Sequence, residues 1–151
     1  MGLEIEHKYL VKNENYKNLA SKVAHIAQGY LSRDKERTVR VRILNESAFI
    51  TIKSKNHGDT RHEFEYSIPL EDAKELLRIC LPPIIEKNRH YVEYEGFTWE
   101  VDEFLGELKG ITVAEIELPS SDTQYTLPEF IGENVTDNPM YYNSNLHLLK
   151  K

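Results

Sequence analysis

Thiol chemistry is almost missing from this chain: Cys80 is its one cysteine. No internal disulfide can staple the fold, and a reducing compartment is implied. No stretch approaches the roughly 18 apolar residues that span a bilayer, and no charged leader precedes an apolar run, so the reading is a soluble, cytoplasmic chain without a membrane partner. The Met-Gly start lacks the hydroxyl residue that a myristoylation signal needs, because Glu6 stands there. Basic charge is in deficit, with 19 Lys and Arg against 25 Asp and Glu and a formal net charge of −6. A broad nucleic-acid surface depends on a basic excess and is excluded; any polyanion must be held locally. No glycine-rich phosphate loop and no nucleophile motif occurs, so phosphate binding would rest on side chains rather than on a helix N-terminus. His7, His57, His62, His90 and His147 have no Cys or His partners at metal spacing and read as surface or packing residues.

What is present is alternation. With 151 residues and 40% hydrophobic content, the chain can bury one sizeable core, and a single domain over 1–151 is expected. Period-two patterning predicts eight strands, near 4–11, 28–32, 38–44, 47–54, 60–68, 86–94, 97–103 and 111–118. Turn signals at Asn45-Glu46, Asn56-His57-Gly58-Asp59 and Glu95-Gly96 make several of these hairpins, so the sheet is mostly antiparallel. Two amphipathic helices are expected. One runs from Asn15 to about Ala24 with Leu19, Val23 and Ile26 on one side. The other follows Pro69, buries Leu70, Ala73, Leu77 and Cys80, and stops at Pro82-Pro83. A short helical signal lies near Pro128–Asn134.

Most strands carry one apolar face and one charged face. The charged faces repeat like-sign pairs two residues apart: Glu4 and Glu6, Arg40 and Arg42, Glu63 and Glu65, Lys87 and Arg89, Glu100 and Asp102, Glu115 and Glu117. Neighbouring like charges destabilise a sheet, and a solvated face normally dilutes them. A closed eight-stranded antiparallel β-barrel with helices packed on its outside, an α+β fold, resolves this by turning the charged faces inward around a hydrated tunnel. Carboxylates converging there suit a hard cation such as Mg2+ or Mn2+; arginines and lysines suit phosphate oxygens. The combination describes a polyphosphate site.

These residues resemble the CYTH superfamily, the triphosphate tunnel metalloenzymes, whose N-terminal strand reads E-x-E-x-K, here Glu4-Ile5-Glu6-His7-Lys8. The resemblance continues through "QGYLS" at 28–32, "RTVRVRI" at 37–43, "RHEFEYSIP" at 61–69, "EKNRH" at 86–90, "WEVDEF" at 99–104, "GELKGITVAEIEL" at 106–118 and "NVTDNPMYYNSNL" at 134–146. It is similar in particular to the small bacterial tripolyphosphatase branch. The resemblance implies Glu4, Glu6, Glu115 and Glu117 as metal ligands for Mg2+ or Mn2+. It implies Lys8, Arg40, Arg42, Lys53, Arg61, Lys87 and Arg89 as the phosphate clamp. Glu63, Glu65 and Asp102 are left to hold a second metal or the attacking water. Glu100 shares Asp102's face but is not included. Met140 stands where a basic residue is common in relatives, before Tyr141, which weakens the expected role of the tail in closing the tunnel.

The activity so implied is metal-dependent hydrolysis of a small-molecule triphosphate, inorganic tripolyphosphate first among candidates, by a chain that could form a homodimer. The alternatives are an adenylate cyclase of the same superfamily, a thiamine triphosphatase, and a non-catalytic polyphosphate-binding module. No base-reading segment favours the cyclase, and retention of both the acidic and the basic set disfavours the binding module.

Overall fold

The computed structural model describes residues 2–149; the outermost residues of the expected domain lie outside them. Among the described residues nine strands form: β1 (Gly2–Val11), β2 (Lys22–Ser32), β3 (Arg37–Leu44), β4 (Ser47–Ser54), β5 (Thr60–Ser67), β6 (Leu81–Tyr94), β7 (Phe97–Phe104), β8 (Thr112–Glu117) and β9 (Ile131–Asn134). Two helices accompany them, α1 (Tyr16–Leu19) and α2 (Leu70–Ile79). The strand order β5-β4-β3-β2-β6-β7-β8-β1 is closed by pairing of β1 with β5, and every pairing is antiparallel. The result is a closed eight-stranded antiparallel barrel. Hairpins turn at Asn45-Glu46 and Glu95-Gly96, where Asn45, Glu95 and Gly96 take positive φ of 55°, 49° and 84°, as two-residue hairpin turns require.

Three expectations about the elements change. The first helix is a single turn, and residues 22–27 extend β2, pairing with β6 from Lys22 opposite Tyr91 onward. Continuing the helix would strip those backbone groups of partners; the helical-looking Leu19 and Val23 are exposed. Strand β6 begins at Leu81, so Pro82-Pro83 lies in the strand's first turn of sequence instead of merely ending α2. Residues 131–134, expected to be helical, form β9. The cause is the edge of β1: its pairing with β5 ends at Ile5, and β9 covers the bare edge from Tyr9, opposite Asn134, to Val11, opposite Ile131.

The apolar faces point outward and are covered unevenly. Trp99, Val101, Ala114, Ile116, Val92 and Tyr9 pack under α1 and the segment from Leu118 to Ile131. Val41 and Ala48 pack under α2, whose Ala73 and neighbouring Cys80 are buried against them. Gly29 on β2 allows that approach, since a Cβ there would lie 2.8 Å from Ile84 Cδ1 and 2.9 Å from Cys80 Cβ. Beyond α2 the outer face is uncovered, leaving Phe64 and Tyr66 47% and 58% exposed. His7 sits on this outer side and pins three segments. Its ring nitrogens meet the Tyr125 hydroxyl at 2.6 Å and Asp59 Oδ2 at 2.8 Å, while Ser121 donates to the other Asp59 oxygen. No helix among the described residues is long and apolar enough to cross a membrane.

One end of the barrel interior is apolar. Leu10, Ile85, Phe104 and Val113 continue the inward faces of their strands, and the C-terminal 3-10 segment Asn143–Leu149 places Leu146 wholly buried among them. The tail therefore does close the tunnel, contrary to the expectation from Met140. It does so through Leu146 and through Tyr141, whose carbonyl accepts a hydrogen bond from Lys8 Nζ at 2.8 Å.

Candidate active site

Register places the charges above this floor. Glu6 lies directly opposite Glu117, and Lys8 opposite Glu115. Glu4 faces Arg61 across the closing seam, Lys53 faces Glu63, Thr51 faces Glu65, and Arg89 faces Asp102. Because β-strand side chains alternate, all of these point into the lumen. Glu4, Glu6, Arg40, Arg42, Lys53, Glu63, Glu65, Arg89, Glu100, Glu115, Glu117 and Asn143 line a chamber of about 140 Å³ that opens to solvent.

Four of the expected residues stand elsewhere. Lys8 and Arg61 border a smaller recess beside Glu4 and Glu6. Lys87 and Asp102 lie deeper in the lumen, toward the apolar floor at Phe104, 0% and 1% exposed. Asp102 takes a bidentate pair from Arg89, Nε to Oδ1 at 2.8 Å and Nη2 to Oδ2 at 2.9 Å, and Lys87 Nζ lies 2.7 Å from Oδ2. Expected beside a second metal or a water, Asp102 is instead committed to holding two cations. Burial alone would raise its pKa, but Arg89 and then Lys87 bring it below the usual carboxylate range.

The remaining carboxylates divide by surroundings. Glu4 accepts from Lys53 Nζ at 3.2 Å and has Arg61 Nε at 3.5 Å; these cations overcome burial and lower its pKa. Glu115 is also lowered, against burial, by Lys8 at 3.2 Å and by Arg89. Glu6 goes the other way, pushed up to about 8 by burial and by the charges of Glu115 and Glu4. Glu117 is raised by burial and by Glu4, and Glu100 by burial although Arg89 Nη1 lies 3.2 Å away. The wall around Glu6 and Glu117 is thus short of positive charge.

Cations line the other side. Arg40 Nη2 lies 3.5 Å from Thr51 Oγ1, and Arg42 Nη2 meets Glu65 at 3.1 Å. Burial and the neighbouring Arg40 pull the Arg42 guanidinium down to about 10. Lys87 falls to about 8, burial outweighing Asp102. Three chamber-side features were missed from sequence. Glu100 is one, although its alternation with Asp102 already placed it on the inward face. Thr51, buried between Arg40 and Glu65, is the second. Asn143 is the third, and it carries no periodic signal because it lies in an irregular tail.

The donor set fits a hard divalent cation: four carboxylates, Glu4, Glu6, Glu115 and Glu117, with oxygen donors only and two of them, Glu6 and Glu117, held above their ordinary pKa by burial and by neighbouring carboxylates. Among the described residues no three His, Cys, Asp or Glu side chains already converge as a ligating group. Glu4 and Glu115 are turned toward Lys53, Arg61 and Lys8.

The chain matches the CYTH domain model over residues 2–148. It belongs to the CYTH domain family. It is 48% identical over 97% of its length, and 94% of the relative's, to an inorganic triphosphatase of Acetivibrio thermocellus. It is 30% identical over 96% of its length, and 97% of the relative's, to an inorganic triphosphatase of Nitrosomonas europaea. Among solved structures, a crystal structure of an inorganic triphosphatase superposes with a TM-score of 0.68 at 28% identity, covering 96% of this chain and 97% of that one. In this CYTH domain the residues of Glu4-Ile5-Glu6-His7-Lys8 take two sides: three charges in the lumen and His7 in the outer pin.

Proposed function

We propose that this CYTH barrel is a metal-dependent hydrolase that cleaves the terminal phosphoanhydride bond of a triphosphate, inorganic tripolyphosphate before any nucleotide. One observation carries the reading: a chamber of about 140 Å³ inside the barrel has a carboxylate wall lacking positive charge opposite a wall of arginine and lysine. The two inorganic triphosphatases to which the chain aligns support it. Glu4, Glu6, Glu115 and Glu117 would hold Mg2+ or Mn2+, which when bound neutralises phosphate charge and activates water.

The chain's own side chains supply the rest. Arg40 and Arg42 present guanidinium forks suited to bidentate phosphate contacts; Arg89, whose fork is held by Asp102, adds its charge, and Lys8, Lys53 and Arg61 add charge at the Glu4 end. These donors are fixed in place before substrate arrives, so they stabilise charge on the transferring group without reorganising. Glu63, Glu65 and Glu100 rim the chamber, where a carboxylate can accept a proton from the attacking water. Lys87 and Asp102 orient Arg89 from deeper in the lumen. The chemistry needs no covalent intermediate, and no Ser, Cys or His lines the chamber among the described residues.

The purified protein should release orthophosphate from tripolyphosphate with Mg2+ or Mn2+, and should do so faster than from ATP, thiamine triphosphate or pyrophosphate. Cyclic AMP formation from ATP, or metal-independent turnover, would overturn the assignment.

A further inference from the structure

The strand residues account for the chamber walls, but one of its polar side chains comes from outside the barrel. Asn143 opens the 3-10 segment that closes the tunnel. It lines the chamber with Arg40 and Lys53, and shares with the same two residues a small recess beside Tyr30, Thr38 and Arg61. It is 9% exposed, and its amide oxygen is buried without a hydrogen-bond partner.

The neighbouring asparagines show what a purely architectural role looks like. Asn138 Oδ1 accepts from Met140 N at 3.0 Å, and Asn145 Nδ2 donates to the Pro139 carbonyl at 3.0 Å. Both amides tie the tail's own backbone. Asn143 ties nothing, although its segment is held firmly by Leu146 in the floor and by the Lys8 bond to Tyr141. A buried amide oxygen left unpaired costs roughly 1–3 kcal/mol, and Asn143 keeps its own unpaired on the chamber lining beside Arg40 and Lys53, where a ligand can re-pair the carboxamide.

We propose that Asn143 is a specificity-determining residue that contacts substrate, donating through its carboxamide to an oxygen of the phosphoryl group gripped by Arg40 and Lys53. The proposal rests on the reading of the chamber as a triphosphate site. Rotation of the amide presents its NH2 to an anion, and a neutral donor adds a contact where further positive charge would only repel Arg40 and Lys53. Lys53 also holds Glu4 at 3.2 Å, so Asn143 sits where the chamber opens into the adjoining recess, and a chain long enough to fill both gains the contact; Asn143 thereby favours tripolyphosphate over pyrophosphate.

The test compares the wild type with Asn143→Ala and Asn143→Asp by steady-state kinetics on tripolyphosphate and pyrophosphate. Alongside, the rise in melting temperature with tripolyphosphate is measured in chelator, where nothing turns over. Asn143→Ala should raise KM for tripolyphosphate roughly tenfold, leave pyrophosphate nearly unchanged, and shrink the tripolyphosphate-induced thermal shift, with the unliganded melting temperature held. Asn143→Asp is isosteric and gains Arg40 and Lys53 as counter-ions, so it folds even if the alanine variant does not. Its carboxylate should weaken tripolyphosphate binding further, on the order of 100-fold. Equal KM and equal thermal shift in wild type and both variants would overturn the proposal, as would an equal loss on both substrates. A wild type that neither binds nor cleaves tripolyphosphate would instead reject the triphosphate site itself.

Discussion

Asp102 and Glu6 point into the same lumen from strands of the same barrel, yet their surroundings have opposite balance. Asp102 is enclosed by Arg89 and Lys87 and is drawn down in pKa. Glu6 stands opposite Glu117 with Glu115 and Glu4 nearby, and is driven up to about 8. The first arrangement is a completed ion cluster that holds cations for use elsewhere. The second is an incomplete one, a cost to the fold that a bound cation would offset. Two residues that read alike in sequence are therefore expected to fail in opposite ways, one in stability and the other in chemistry.

The largest separation should come from removing each carboxylate in turn. Asp102→Asn leaves two buried cations without their anion and should lose about 3–5 kcal/mol in urea unfolding, with activity falling as the fold weakens. If its stability matches the wild type, Asp102 is not the anchor described. Glu6→Gln and Glu117→Gln should instead keep or raise the stability of the metal-free protein while losing roughly 10²–10³-fold in kcat/KM. Full turnover in both glutamine variants at ordinary metal concentration would remove these residues from the metal set.

The basic wall provides a finer test. Arg42→Lys keeps the charge but loses the planar fork, and should cost on the order of tenfold in kcat/KM on tripolyphosphate, with less loss on pyrophosphate. A lysine that substitutes freely would mean that Arg42 only balances the acidic rim at Glu65.

The smallest effect lies in the pH dependence of the metal-free protein. Glu6 has a folded pKa of about 8 against an ordinary value of 4.5. A raised carboxyl pKa means that the folded state holds its proton longer, so this contribution to stability is complete below about 4.5 and is lost as pH rises through about 8. Melting temperatures of wild type and Glu6→Gln should converge at the acid end and diverge toward pH 8, the variant being higher by roughly 3 °C for each ~1 kcal/mol removed. Parallel curves across that window would show that Glu6 carries no such penalty.

Alternation by itself determined the barrel and the inward direction of its charges, because a period of two assigns every strand residue to one face, and six like-charged pairs cannot share an open surface cheaply. It therefore placed Glu4, Glu6, Arg40, Arg42, Glu115 and Glu117 in one lumen, and by the same parity it placed Glu100 there too. Alternation is silent about which strands become neighbours. The Glu95-Gly96 hairpin sets Asp102 against Arg89, but only the long-range pairing of β1 with β8 sets Glu6 against Glu117, and those registers decide which carboxylate is satisfied. Local propensity was overruled where the sheet had an edge to fill: residues 22–24 and 131–134 look helical alone, yet they pair with β6 and β1 because bare strand edges cost more than an unfavoured backbone. The tail lay beyond any periodic reading. Leu146 finds the apolar end of the lumen and Lys8 finds the Tyr141 carbonyl only after the barrel exists, and that late packing is what carries Asn143 into the chamber.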